Sequence, residues 1–575
     1  MMKKLNKHIQ QLPLFLSLLI MLTLSACKKD KHDFGYDNRV ITDARKSSSL
    51  RIVNLGGYNQ VILDGDTLTN FKFVDPLSPV IPVLPGTKYF PENGSMGSTW
   101  GVPQSLLKGG KAHAQVEIGG YNIAAEKLNI DLQEDAAQAM DYYLQTSDYN
   151  NNPTVPKYIK VPRDVAAPAD PTKFKVRILN LSAIVNRTSM ENLVGPLNLT
   201  WADGTAVSDK TNNIAPGHYS EYVELPYTTA QLKVLTSAGI QVPGVTSNPI
   251  FPATSTLTSA RGWPPEDSHL TFAAFKSFVP GGIYTIVVAP YNFTIPYLNG
   301  NPGESLKDYQ SAIRIIADIS EPLNVTYARV QAVNTLPGID GVKIMMNGQA
   351  LGTPLAYTDH TDYQNYIIGN YNIEARNAAG TVLATGQVKL DANTNFTLWL
   401  HPDANGKATI SPVANDLSRV IPGNNATDDA TYVRNKLDYP FSIRFLNLCP
   451  DMPYLTFTKD NGQAFTNMYN LNPGAVNNLR PGIFPTDAPY IQVDFDNIAY
   501  KILAYRSQPS VIPGSWASDI PVLPGTALIA RPALYVRGGV PNHEPGIYTI
   551  ALVGSTKAGT PAGQKAKLII LKHTK

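Results

Sequence analysis

Cysteine is nearly absent from this chain: Cys27 and Cys449 are the two in 575 residues. If Cys27 is modified, one thiol remains, and one thiol cannot close an internal disulfide. The modules must then be held by buried cores alone, which units of roughly 100 residues can sustain. Charge is also scarce, at 16% of residues, and has no dominant sign. Removing residues 1–26 takes away Lys3, Lys4 and Lys7 and no acid, leaving 45 basic residues (48 less three) against 45 acidic ones. A nucleic-acid binder carries a basic excess to neutralise phosphates, so no nucleic-acid partner is expected. An acidic excess that would steer cations is missing too.

Chemical motifs are equally thin. His113, His218, His269, His360, His401 and His543 stand singly, without paired spacing or cysteine partners, so no metal site is expected. Asp403-Ala404-Asn405-Gly406 lacks the downstream acid of a calcium loop and reads as a hairpin turn. There is no nucleophile elbow, phosphate loop or dinucleotide fingerprint. No catalytic residue and no cofactor is therefore expected, and the chain does not read as an enzyme. Glu266-Asp267 beside Trp263 and His269 is the most site-like cluster; a solvated loop pinned by one Trp is the competing reading. Amphipathic helical patterns are missing as well. The best candidate, near Glu134–Tyr143, is short, which argues against a parallel α/β fold.

What is present begins at the first residues. Three lysines precede an apolar run from Leu12 to Leu24, and Leu24-Ser25-Ala26-Cys27 follows. A basic start, an apolar middle and small residues at a cut form a secretory signal. The run is about 13 residues, short of the roughly 20 that span a membrane. The cysteine at the cut resembles the lipobox of bacterial lipoproteins. That resemblance implies that Cys27 becomes the first mature residue and carries acyl chains such as palmitate. Each buried methylene contributes about 0.8 kcal/mol, and stable anchoring takes more than one chain, as that family supplies. Lys28-Lys29-Asp30-Lys31-His32-Asp33 and the polar stretch to Ser49 read as a tether. A charged run in this place resembles the surface-export signals of Bacteroidetes lipoproteins. It implies an outer-membrane protein exposed at the cell surface; a periplasm-facing orientation is the alternative.

The remaining chain repeats itself. Arg51-Ile52-Val53-Asn54-Leu55 is echoed at Arg177–Leu181 and Arg444–Leu448, and more weakly at Arg329–Asn334. Each opening is strand-like and is followed by a hairpin-turn pair: Asp64-Gly65, Asp203-Gly204, Asn347-Gly348 and Asn461-Gly462. Closing segments recur too, as Gly282-Ile283-Tyr284-Thr285-Ile286 and Gly546-Ile547-Tyr548-Thr549-Ile550. Asn395–Trp399 and Tyr142–Leu144 take that role in the third and first copies. Many short strands with frequent turn signals predict an all-β chain of about four tandem immunoglobulin-like β-sandwich modules. The predicted division is a signal peptide at 1–26, a tether at 27–49, and modules at 50–165, 174–320, 326–418 and 440–575.

The third copy carries a family resemblance. Arg329–Asn334, the strand Val342–Met346 ending in Asn347-Gly348, Tyr363-Gln364-Asn365-Tyr366 and Ile368–Glu374 match it, as do Val388–Leu390 and Phe396–Leu400. The run from Tyr327 to Leu417 resembles the bacterial domain of unknown function 4397. The resemblance implies a small sandwich domain of secreted and surface-anchored proteins, with an adhesive or binding role and no known catalytic residues.

Aromatics carry the binding argument. Trp100, Trp263 and Trp516 each lie in a Pro/Gly/Ser-rich insertion, and binding residues concentrate on such loops. An exposed indole can stack on a sugar ring or fill a partner's pocket. The competing reading is that each Trp pins its own loop. Trp201 and Trp399 fall on predicted strands and read as core. The expected function is non-catalytic binding of a glycan or a protein by a membrane-anchored chain. A structural spacer or assembly subunit is the alternative, and an enzyme with a site in the second module's insertion a weaker one.

Overall fold

The computed structural model describes residues 47–70, 85–118, 126–145, 156–184, 193–245, 270–271, 273, 275–296, 305–417, 441–465, 470, 472–493, 500–531, 544 and 546–575. Cys27, Trp263, the Glu266-Asp267 pair and His269 lie outside them. The described residues form strands and short 3-10 turns, with no α-helix among them. The predicted all-β architecture of tandem sandwiches is what the chain adopts. The stretch near Glu134–Tyr143 leads into a strand, Met140–Leu144. The first strand, Ser47–Asn54, starts inside the segment expected to be tether.

One pairing occurs four times. The opening strands Ser47–Asn54, Lys173–Asn180, Tyr327–Asn334 and Phe441–Asn447 each lie parallel to a closing strand. Their partners are Met140–Leu144, Ile283–Pro296, Asn395–Pro402 and Gly546–Val553 respectively. The chain's next strand in each case, from Tyr158, Ser305, Ala408 or Lys567, adds antiparallel to the closing strand. In the first, third and fourth units a second four-stranded sheet covers the inner face.

The hairpin turns follow their sequences in part. Asp64-Gly65 (φ 48° and 92°) and Asn347-Gly348 (φ 47° and 81°) take two left-handed residues in a row, as a type I′ turn needs. The other two differ. Near Asp203-Gly204 only Gly204 is left-handed, and in the fourth unit the left-handed residues are Asp460 and Gly462. Both loops are one residue longer than the pair read from the sequence.

Each opening strand buries both of its faces. Leu50 and Ile52 enter the first sandwich's own core, while Val53 and Leu55 point the other way. In the second, Phe174, Val176 and Ile178 point inward and Leu179 and Leu181 outward. The outward residues of these two units meet in one cluster with Tyr143, Val161, Val287, Ala289 and Ile316. The third and fourth sandwiches join in the same manner through Val333, Trp399, Val413, Leu446, Leu448, Ala551, Val553 and Leu571. Parallel strands with both faces covered read as near-continuous apolar runs, which is why Gly546–Val553 is buried at every position. The sandwiches thus sit as two face-to-face pairs. Lys575 ties the pairs together: its N–H donates to the Thr229 carbonyl (3.1 Å), and its own carbonyl accepts from the Gln231 N–H (2.9 Å).

Candidate functional site: an inter-sandwich cleft

The outward face of the second sandwich's closing hairpin extends past the apolar junction. Val287, Ala289 and Ile316 are covered by the first sandwich. Farther along the same face stand Arg314, paired across from Val287, and Tyr291, paired across from Gln310. On the other side, the opening strand ends at Asn54, and the turn Gly56-Gly57-Tyr58-Asn59 follows. A cleft of about 360 Å³ lies between these two walls, with Met96, Gly97 and Ser98 also in its lining. That volume is within the range of small-ligand sites.

Local bonds hold the walls in place. The Asn54 side-chain amide donates to the Tyr58 and Gly97 carbonyls, and its oxygen accepts from the Tyr58 N–H at 3.0 Å. Tyr58 turns inward and donates its hydroxyl to the Gln145 carbonyl. Arg314 donates from one guanidinium nitrogen to the Leu55 carbonyl at 2.9 Å, bridging the two sandwiches. Its guanidinium carbon lies 5.6 Å from the centre of the Tyr291 ring. Burial pushes the Tyr291 phenol up, and the Arg314 charge partly offsets this. Among the described residues lining the cleft, Arg314 is the one charged side chain.

The rigidity of this cleft comes from the repeated arginines, whose role sequence reasoning missed. Arg51 makes a two-point contact with Asp141 (3.0 and 2.6 Å) and reaches Asp318 of the second sandwich at 3.0 Å. Asp318 also accepts from the Thr285 and Tyr222 hydroxyls. Arg177 donates to Thr285 and to the Pro162 carbonyl of the first sandwich, with its guanidinium over Tyr222. Burial raises the Asp318 carboxyl against the pull of Arg177 and Arg51.

In the second pair the arginines meet neutral groups among the described residues. Arg329 donates to Asn395 (2.6 Å) and across to Thr229 (2.7 Å), under the Tyr227 ring. Arg444 donates to Asn415 and to the Ala414 carbonyl of the third sandwich. His573 lies between Gln331, Tyr363 and Thr549. Burial holds it well below its ordinary value, with Arg444 and His360 adding to the effect.

The expected tryptophans separate. Trp100 is 8% exposed, on the strand Thr99–Pro103, and packs on Phe90 inside the first core. Its place fits the pinning reading, and little of its ring faces solvent. Trp516 is 51% exposed at the end of the strand Val511–Trp516. These two do not share a site with the cleft residues, and Trp263 lies outside the described residues. Trp399 is buried between sandwiches instead of within one. Trp201 follows its strand and is half-buried, with the Lys575 ammonium 4.9 Å from its ring centre.

Two further polar groups belong to the framework. His401 pairs with the Ser411 hydroxyl at 2.9 Å and with the Pro402 carbonyl at 2.8 Å, and its ring meets Phe484 of the fourth sandwich. Burial lowers its pKa. Cys449 is fully buried, and that burial pushes its thiol up to about 11, so it behaves as a small core residue. Among the described residues no group of three or more His, Cys, Asp or Glu side chains is placed to hold a metal.

The model of one family, described as a domain of unknown function (DUF4397), matches residues 328–426. The third sandwich is similar to that domain. The match covers less than a fifth of the chain and includes Arg329, Gln331 and Trp399, which meet the neighbouring sandwiches. Among curated proteins none matches the chain.

Proposed function

We propose that this chain is a non-catalytic, lipid-anchored binding protein of the bacterial outer membrane, with its modules at the cell surface. Its ligand, a glycan or a protein, seats in the cleft between the first and second sandwiches. One observation carries the reading. The cleft continues a buried junction, so its two walls are fixed against each other before any ligand arrives, and a pre-organised site loses little entropy on binding. Asn59, Asn292 and Ser98 offer hydrogen bonds and Tyr291 an aromatic surface, the mix that small-ligand sites use. Trp516 is an exposed aromatic available for a separate contact.

Glycan-array or calorimetric binding with residues 28–575 tests this, using Tyr291→Ala as the cleft variant. Binding that is unchanged by Tyr291→Ala removes the cleft from the account. Labelled palmitate tests the anchor: it is expected in the native chain and lost in Cys27→Ser.

The assembly-subunit reading has its own support. Leu323 (88% exposed), Val325, Ile367 and Ile368 form an apolar group where the second sandwich leads into the third. The Ile368 N–H donates to the Thr326 carbonyl, so the two segments are adjacent. Such groups often mark protein contacts. Co-purification of a large partner that is lost on Leu323→Glu would favour this reading.

A further inference from the structure

We infer that the junction between the third and fourth sandwiches is an acid-released latch. A proton taken up at His573 parts these two sandwiches, while the first pair stays docked and each sandwich stays folded. The repeat itself points there. The Asp318 N–H donates to the Ile283 carbonyl and the His573 N–H to the Ile547 carbonyl, both at 2.8 Å. Ile283 and Ile547 hold the same place in the matching segments Gly282–Ile286 and Gly546–Ile550. The Thr285 hydroxyl donates to Asp318 and the Thr549 hydroxyl pairs with His573, both at 2.7 Å. One position thus carries an acid in the first junction and a histidine in the second.

These two side chains answer acid with opposite sign. Asp318 faces Arg51 and Arg177, and burial raises its carboxyl, so the docked form takes up a proton more readily than an open one. His573 is enclosed by groups that favour its neutral form. Its Nδ1 meets the Gln331 amide nitrogen and the Tyr363 hydroxyl, both at 3.1 Å. Arg444 and His360 act on it, and both oppose a proton there. Arg329 lies beyond, 5.8 Å from the Tyr363 ring centre, and Arg444 rests over Tyr490. Asn415 contacts Arg444 and Tyr363 without adding charge. A proton on His573 in place is buried beside Arg444, whereas parting the sandwiches returns the imidazolium to water. His401, also buried at this contact, has the Asp403 charge to offset part of its burial and contributes less. Parting leaves the inner cores whole, because Val333, Trp399, Val413, Leu446 and Ala551 belong to neither of them.

Opening should grow by up to about tenfold per pH unit below about 6.5, or up to about thirtyfold between about pH 7.5 and about pH 5. The reporter is a thiol at the junction, Val413→Cys in residues 28–575, labelled with dithiodipyridine and read by mass spectrometry. Each rate is divided by that of the urea-unfolded chain at the same pH, which gives a protection factor. Protection at Val413→Cys should fall on acidification by up to about thirtyfold. Cys449, in the fourth sandwich's own core, and Val287→Cys, at the first junction, should keep theirs. His573→Gln should flatten the response, and His401→Gln should leave most of it. Protection at Val413→Cys that ignores pH overturns the latch. Parallel loss at Cys449 overturns it too, because the sandwich itself then unfolds, as does loss at Val287→Cys, because both junctions then open. An acid response that survives His573→Gln overturns the assignment to His573.

Discussion

Arg51 of the first sandwich holds Asp318 of the second at 3.0 Å, and the Asp318 side chain is fully buried. Neither charge can be withdrawn to water, so the pair welds two consecutive modules through residues 267 positions apart. Burial pulls the Arg51 guanidinium down, yet Asp141 and Asp318 more than compensate and hold it charged. Removing Asp318 leaves Arg51 with Asp141 alone and takes the acceptor from the Thr285 and Tyr222 hydroxyls, and a buried donor left unsatisfied costs about 1–3 kcal/mol. Asp318→Ala should therefore lower the urea midpoint of both sandwiches together. A loss under about 1 kcal/mol, as for an exposed pair, would show that the junction is wet.

Acid should loosen the other pair. His573 is kept neutral in the folded chain, with its pKa well below the ordinary 6.5. As pH falls below about 6.5 the unfolded chain takes up a proton that the folded chain refuses. Stability then drops by up to about 1.4 kcal/mol per pH unit until the folded pKa is reached. Urea titrations between pH 7.5 and 5 should show this slope, and His573→Gln should flatten it.

Lys233 gives the alkaline counterpart. Burial pushes its pKa down from 10.5 to about 8, against the pull of Glu544. Between these values the unfolded chain holds a proton that the folded chain has released, so stability should rise as pH climbs from about 8 to 10.5. Lys233→Met should remove that rise. A slope that persists in the variant would assign it to another group.

How much of this was readable beforehand depends on the range of the contacts involved. Ile52, Ile178 and Ile443 announce strands by local runs of β-branched and large apolar residues, and Asp64-Gly65 announces its turn by local chemistry. The arginines beside them were visible as a repeat, but their purpose was not. A strand's sequence shows that its second face is apolar without saying what covers it. Trp100 stands in a Gly/Ser-rich stretch and reads as a loop residue, yet pairing with Ile52 makes it a strand residue facing the core. The cleft was hidden for a related reason. Arg314 and Tyr291 share one hairpin of the second sandwich, but Gly57 belongs to the first, and only the docking of the two places it opposite them.

The segment similar to the domain of unknown function should be a poor monomer on its own. Residues 326–418 without the fourth sandwich would expose Val333, Trp399 and Val413, which are buried against Leu446, Leu448 and Ala551. An apolar patch of this kind drives association. Light scattering should find the isolated segment self-associated, and residues 326–575 monomeric. A monomeric, well-folded 326–418 with unshifted Trp399 fluorescence would show that the junction is dispensable.

Trp399 and Trp516 provide the sharpest contrast between framework and surface. Trp399 is 1% exposed with partners from both sandwiches, so Trp399→Ala leaves a void that neither can fill; about 3–5 kcal/mol should be lost. Trp516 is half exposed at a strand end, and Trp516→Ala should change stability by no more than about 0.5 kcal/mol. If Trp516 contacts a ligand, that same variant should weaken binding while the melt stays put, which separates recognition from folding in a single protein. A large stability loss at Trp516 would instead make it part of the fourth sandwich's structure and remove it from any account of binding.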